Sequence, residues 1–345
     1  MEPPAPDLET TADLRALQRA LTVYRAPLLS RSILELAITL IPFVLFWFLT
    51  WASVNAGYWI GLLLVVPAAG FLVRLFMIQH DCGHGSFFPS RRANDWVGRI
   101  LGVLTLTPYD FWRYTHGLHH AHSGNLDRSR VGSIHTLSVK EYQDLPQTQR
   151  LRYRLYRHPL VMFGLGPIFL FMLSNRVPVG FLRGGWMPWL STMGTNAAIV
   201  LLAAVLMSLM GVGTFLVVHL PIAVLAGAIG VWLFYVQHQF ENTRWAHDDQ
   251  WTFHETALYG SSYYDLPAPL RWLTANIGVH HVHHLASRIP FYRLPEVLRD
   301  HPRLREISRI TLRQSVRCMR LALWDEERRR LVPFQRAEKM PPLRA

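Results

Sequence analysis

The chain has 345 residues, half of them hydrophobic and 17% charged, with a formal net charge of +12. Two cysteines cannot build a disulfide framework, and the basic excess comes without the motifs of a nucleic-acid reader, so a stapled secreted domain and a nucleic-acid-binding module are both excluded. The apolar residues are instead gathered into blocks long enough to cross a bilayer core, which takes about 20 residues per helix.

Residues 1–32 read as a cytoplasmic N-terminal arm. Met1 to Arg31 opens with prolines and acids and carries no cleavage pattern, so it is not expected to be a signal peptide. Leu14, Leu17, Leu21 and Tyr24 recur at helical spacing among Arg15, Arg19 and Arg25, which predicts an amphipathic helix lying on the membrane surface. Residues 33–79 form the first transmembrane hairpin: Ile33 to Val54, a turn of Asn55-Ala56-Gly57, then Tyr58 to Ile78 with Arg74 near its end. Residues 80–195 follow as a cytoplasmic and interfacial segment. Within it, Pro159 to Leu173 is apolar but short and broken by Gly164, Gly166 and Pro167, which predicts a re-entrant or interfacial stretch. Residues 196–238 make the second hairpin, Asn196 to Gly211 and Thr214 to Gln237, and residues 239–345 a C-terminal segment with a basic tail. The hairpin turns carry no Lys or Arg, so both termini and the middle segment are expected on the cytoplasmic side, as in a bacterial-type inner membrane. The fold class that follows is all-α integral membrane: four transmembrane helices in two hairpins, with interfacial helices and a cytoplasmic, histidine-rich helical cap.

The 17 histidines are concentrated. His80 and His84 end the second apolar block; His116, His119 and His120 form a His-x-x-His-His group; His280, His283 and His284 repeat it; His238 sits at the exit of the fourth block. Spacings of three and four bring side chains to one helix face, and adjacent positions diverge by about 100°, so an adjacent pair can reach different ions. In the predicted topology all four groups end on one membrane side. Nine imidazoles suit two metal ions better than one. His219 lies about 28 Å from His238 along the same helix and cannot share the site; it either bonds a neighbouring helix or caps the far surface. His122 and His281 adjoin the triplets but point elsewhere on a helix.

Imidazole alone does not select a metal. Zinc is satisfied by about four ligands, so nine without a cysteine pattern favour two ions of higher coordination number, with iron the best candidate. Cys82, two residues from His80, points away from the His80/His84 face and is expected to pack. A metal-bound imidazole usually gives its other N–H to a carboxylate or carbonyl, and Asp81 and Glu241 are the candidates for that role. Phe87, Phe88, Trp112 and Tyr114 either line an apolar substrate groove or anchor the chain at the interface.

His80-Asp81-Cys82-Gly83-His84, His116-x-x-His119-His120 and His280-x-x-His283-His284 together resemble the three-box signature of the membrane fatty acid desaturases. Phe234 to Glu241 and Asn276 to Leu285 resemble the bacterial acyl-lipid branch, which includes enzymes acting at Δ12 and ω-3 positions. The resemblance implies a non-haem di-iron centre held by the box histidines with His238 as the extra ligand, O2 as co-substrate, and a cis double bond made in a membrane lipid's acyl chain. Some relatives place an Asn one turn before the extra histidine; here that residue is Phe234. No flavin, nucleotide or thiolate-cluster motif is present, so electrons are expected from a separate ferredoxin-like carrier. Arginines from Arg288 to Arg320 could steer such an acidic partner or meet anionic headgroups. Rival readings are a di-iron hydroxylase of alkane, carotenoid or lipid, a metal transporter, whose ligands would sit near the bundle midplane, and a haem carrier, which would leave most of the histidines unexplained.

Overall fold

The computed structural model describes residues 10–128 and 132–335; residues 1–9 of the N-terminal arm and 336–345 of the basic tail lie outside the described residues. Helix α1 (Thr11–Ala20) starts in a capping box, with Thr10 Oγ1 accepting from the Asp13 amide and the Asp13 carboxylate accepting from the Thr10 amide. Its apolar face does not meet lipid. Leu14, Leu17, Leu21 and Tyr24 are buried in the protein's own core, α1 packs on the later helix at 253–259, and Gln18 Nε2 donates to the Leu285 carbonyl at 2.7 Å. The surface-helix expectation is thus corrected: the amphipathic pattern was real, but a protein groove covers it.

Helix α2 (Leu29–Asn55) is followed by a short turn, a 3-10 stretch (Trp59–Leu64) and α3 (Val65–Gly83), and α3 packs along α2. Next come α4 (Arg91–Leu104), capped by Ser90, and α5 (Tyr109–His122). Strand β1 (Leu137–Ser138) leads to α6 (Val139–Asp144) and α7 (Gln147–Tyr156). The apolar stretch after it winds as two π-helical turns around the short α8 (Gly166–Ile168) and meets α7 at 56°, a broken span or re-entrant loop. Helices α9 (Trp186–Met210) and α10 (Val212–His238) complete the long apolar helices. Helix α9 begins at Trp186 rather than Asn196: Gly185, at φ 86°, closes the preceding turn, and Trp186 and Trp189 start the helix with exposed indoles of the kind that favour a membrane interface.

Four helices are long and apolar enough to cross a membrane: Leu29–Asn55, Trp59–Gly83, Trp186–Met210 and Val212–His238. Helix α3 is central, burying Ala68, Ala69, Leu75 and Ile78 against α2, α4 and α10. Its small residues let the neighbours approach closely. The outward residues of α2, among them Ile41, Val44, Leu45 and Phe48, are apolar and exposed; such a continuous surface suits hydrocarbon and not water.

Beyond α10 the chain forms α11 (Phe253–Tyr259), β2 (Tyr263–Asp265), α12 (Ala268–Leu273), α13 (His280–Leu285), α14 (Leu294–Asp300), β3 (Arg309–Thr311), α15 (Leu312–Cys318), β4 (Leu323–Asp325) and β5 (Arg330–Val332). Two small sheets result, β1-β4-β5 and β2-β3. The chain is therefore mostly helical rather than all-α. The strands are two or three residues long and too short for an alternation pattern to register. Two of the three pairings are long-range, with Leu137 opposite Leu323 and Tyr263 opposite Arg309, while β4 and β5 form a local antiparallel hairpin.

A buried ion pair ties α2 and α3 to α12. The Arg74 guanidinium bonds Glu35, the Trp272 carbonyl and, at 3.1 Å, Thr39 Oγ1, and it lies 4.2 Å over the Trp272 ring. Glu35 also meets Arg31 at 2.7 Å. Glu35→Ala leaves a buried cation without its anion, which costs about 3 kcal/mol or more. Thermal unfolding in detergent should show a fall of about 5 °C, and adding Arg74→Met should recover most of it.

Candidate metal centre

The helix ends decide where the imidazoles point. His80 lies in the last turn of α3 and His84 caps it, with the His84 amide bonded back to the His80 carbonyl at 3.2 Å. His116, His119 and His120 lie in the last two turns of α5, His238 ends α10, and α13 consists of His280 to Leu285. The C-terminal ends of α3, α5 and α10 meet α13, and their nitrogens fall into two groups. His80, His84, His116, His120 and His283 form one; His119, His238, His280 and His284 form the other, with the ligand atoms of each group within 4.8 Å of one another. All nine candidate histidines are brought together, and they divide five and four.

The division follows helix geometry. Pairs four apart share a group: His80 with His84, His116 with His120, His280 with His284. Pairs three apart do not: His116 and His119 part, as do His280 and His283. Four residues advance about 400°, leaving an offset of about 40°, whereas three leave about 60° on the other side. Adjacent residues diverge as the sequence suggests, His119 from His120 and His283 from His284. The groups touch where the rings of His120 and His284 stack, 4.1 Å apart and 15° from parallel.

Nε2 atoms face one another at 3.0–3.2 Å: His84 to His116, His116 to His120, His120 to His283, and separately His119 to His238, His238 to His280, His280 to His284. A ring nitrogen has one lone pair or one N–H, directed along one line in the ring plane. His116, His120, His238 and His280 each meet two other nitrogens, so hydrogen bonding cannot satisfy these contacts, while a common ion can. With a metal–nitrogen distance of about 2.1 Å, a spacing near 3.1 Å corresponds to an angle of about 95°; a tetrahedral site would need about 3.4 Å. The donor set therefore fits two metal ions of coordination number above four better than zinc. Burial first, and then the neighbouring imidazoles, hold His116, His120, His280, His283 and His284 well below the ordinary histidine value, and His119 is pushed down to about 4. Neutral imidazole is the form that offers its lone pair to a metal.

Several surrounding groups orient these rings. Asp81 Oδ1 meets His80 Nδ1 at 3.1 Å, and its other oxygen accepts from the Phe291 amide at 2.7 Å, linking the first box to the loop after α13. His119 Nδ1 faces Ser133 Oγ at 3.3 Å. Glu241 departs from its expected role: its side chain is 60% exposed and faces Arg330 at 3.4 Å. The chain turns out of α10 at Gln239, which carries residue 241 away from the ligand face.

Trp112 stacks on His116, with centroids 4.6 Å apart and planes 14° from parallel. Gly83 makes the room, since a Cβ there would come within 2.8 Å of the indole. Phe87 and Phe88 are buried against each other, and Phe87 also stacks on Phe291. Tyr114 is exposed and rests on Phe181. The Phe234 ring lies 5.2 Å from His119 and 5.0 Å from His238. Cys82 is buried and joins neither group. His219 also joins neither; its ring stacks on Phe215 at 5.0 Å. His281 bonds the Leu304 carbonyl at 2.8 Å. Ser133 has no sequence signature of this contact, because a serine hydroxyl does not encode locally what it will meet.

A family model described as fatty acid desaturase matches residues 55–315. A fatty acid desaturase of Bacillus subtilis is 42% identical over 327 residues, covering 95% of this chain and 92% of that one. An sn-1 acyl-lipid omega-3 desaturase (ferredoxin) of Synechocystis sp. is 32% identical over 236 residues, 64% of this chain and 61% of the relative. An sn-1 oleoyl-lipid 12-desaturase of the same organism is 29% identical over 235 residues, 65% and 63% of the two. A matching model over most of the chain, a relative aligned almost end to end and the three histidine boxes agree: the chain belongs to the fatty acid desaturase family.

Proposed function

We propose that the protein is an O2-dependent desaturase that introduces a cis double bond into an acyl chain of a membrane lipid at a histidine-held di-iron centre. The observation that carries the reading is the convergence of nine buried or half-buried imidazoles, five and four, at the end of the long apolar helices. Near-right-angle nitrogen spacing favours iron over zinc. The ions, when bound, supply the O2 activation and oxidising power that removal of hydrogen from an unactivated methylene demands. Each turnover converts –CH2–CH2–, O2, two electrons and two protons into –CH=CH– and two waters.

The chain's own residues supply position and dryness. His80 is oriented by Asp81 and His119 by Ser133. Trp112 and Phe234 cover the two groups with apolar rings and keep water from the reacting methylene. An acyl substrate is already in the bilayer, so a centre at the ends of the spans receives it without exposing the chain to water. Names of relatives that specify acyl-lipid and ferredoxin support a lipid-linked substrate and a separate one-electron carrier. The uncharged turns between paired spans favour the histidine end and both termini on the cytoplasmic side of a bacterial-type inner membrane.

Expression in a host with a simple fatty acid profile should yield a new cis-unsaturated species by mass spectrometry of its lipids. His283→Ala should abolish it, and a hydroxylated product would replace desaturation by the hydroxylase reading. Elemental analysis of purified protein should give two irons per chain. Asp81→Asn keeps an acceptor for the Phe291 amide but removes the charge beside His80, so iron affinity should fall about 10–100-fold with helical content retained. His219→Ala should keep both irons.

A further inference from the structure

A cavity of about 770 Å³ opens beyond the end of α10, walled by Arg244, Trp245, Arg328, Arg329 and Arg330 against the carboxylate of Glu255. Two of its arginines are held by partly exposed pairs, Arg244 with Glu255 at 2.6 Å and Arg330 with Glu241 at 3.4 Å, while Arg328, itself exposed, stands 4.0 Å from the buried Asp325 carboxylate, too far for a hydrogen bond. Exposed pairs of this kind contribute little and can trade partners. Arg329 meets a neutral amide, donating to Gln250 Oε1 at 2.9 Å. It also holds a left-handed backbone, φ 48°, in the turn between β4 and β5. An arginine there is strained where glycine or asparagine would not be, and strain of this kind concentrates at functional positions.

The cavity adjoins the metal centre through a defined contact. Thr243, on its wall, is buried and donates to the Gly260 carbonyl at 3.2 Å. Its amide donates to the Phe240 carbonyl at 3.2 Å, two residues beyond His238. The Arg244 amide, one residue on, donates to the Tyr259 carbonyl at 3.1 Å. A molecule seated among these arginines is therefore separated from His238 of the four-histidine group by one threonine and the short turn that follows α10.

We infer that this cavity is the docking site of an acidic one-electron carrier protein. The carrier's carboxylates take over the guanidinium groups of Arg328 and Arg329, and its electron passes toward His238 by way of Thr243 and the Phe240 peptide. Each encounter oxidises the carrier by one electron and reduces the centre by one, so two encounters supply the two electrons that a turnover consumes. The inference rests on the desaturase reading and adds where the partner binds. Arginines of the tail such as Arg313 and Arg317 on α15 lie outside the cavity wall and are left to other contacts.

The test uses the full-length, iron-loaded protein in discs of zwitterionic phosphatidylcholine, titrated with a plant-type [2Fe–2S] ferredoxin as probe. Saturable binding that weakens with salt is expected. Arg328→Glu combined with Arg329→Glu should weaken it about 10-fold or more with iron content unchanged, while Arg313→Glu with Arg317→Glu leaves the affinity within about 2-fold. No saturable binding by the unsubstituted protein, equal affinity for the cavity variant, or loss confined to the α15 variant would each overturn the inference. So would a cavity variant that loses only its affinity for anionic phosphatidylglycerol vesicles, which would identify a lipid-headgroup surface. Failure of the host's lipids to gain a double bond, with ferredoxin binding intact, would count against the desaturase reading and leave the docking site standing.

Discussion

Everything near the centre depends on holding nine nitrogen atoms, most of them lone-pair bearing and buried, within touching distance of one another. Facing Nε2 atoms at 3.0–3.2 Å repel unless something positive lies between them. Buried polar groups without partners are costly, and His120, His280 and His284 also have no hydrogen-bond partner for Nδ1 among the described residues. The arrangement is thus poor on its own terms and good once cations occupy it, which links folding of the centre to metal binding. The rest of the fold can be understood as the scaffold that enforces this convergence.

That scaffold works because the donors sit at the ends of long, laterally packed helices. His80 and His238 end α3 and α10, and these two pack along each other. The shorter α5 and α13 are not rigid by themselves. Helix α13 is six residues long and is steadied from three sides: Asp81 takes the Phe291 amide just beyond it, Gln18 of α1 takes the Leu285 carbonyl, and the His281 ring bonds Leu304. Helix α1 therefore belongs to the support of the third histidine box. This is why its apolar stripe is buried in protein, although its composition fits a surface helix equally well.

The long-range frame was legible in the sequence because it is written in two strong periodic signals. Blocks of about 20 apolar residues mark the four long helices, and the three-and-four spacing of histidines marks the groups that assemble. The partition of His116 from His119 was not read, since both spacings count as one face in a coarse pattern and only the sign of the offset separates them. Glu241 was misplaced because a residue three positions beyond His238 shares its face only while the helix continues, and α10 stops at His238. The small sheets have little local signal because their strands are two or three residues long and two of the three pairings join distant residues, Ser138 with Trp324 and Asp265 with Thr311. Such pairings depend on tertiary context, which local propensity does not encode.

The five-to-four division also bears on how two similar ions would differ. An ion held by four imidazoles keeps more positions for exogenous ligands than one held by five. The Phe234 ring stands against His119 and His238 in the four-histidine group and offers no donor atom there. Trp112 covers His116 in the five-histidine group, so each side of the centre has an apolar lid over a complete set of nitrogens. The asymmetry therefore comes from donor count rather than from a difference in polarity around the two groups. Its origin is the helix itself: α5 and α13 each divide three histidines between the groups, α3 gives both of its own to the first, and α10 gives one to the second. A second histidine one turn earlier on α10 would fall at position 234, and the phenylalanine there is what keeps the count unequal.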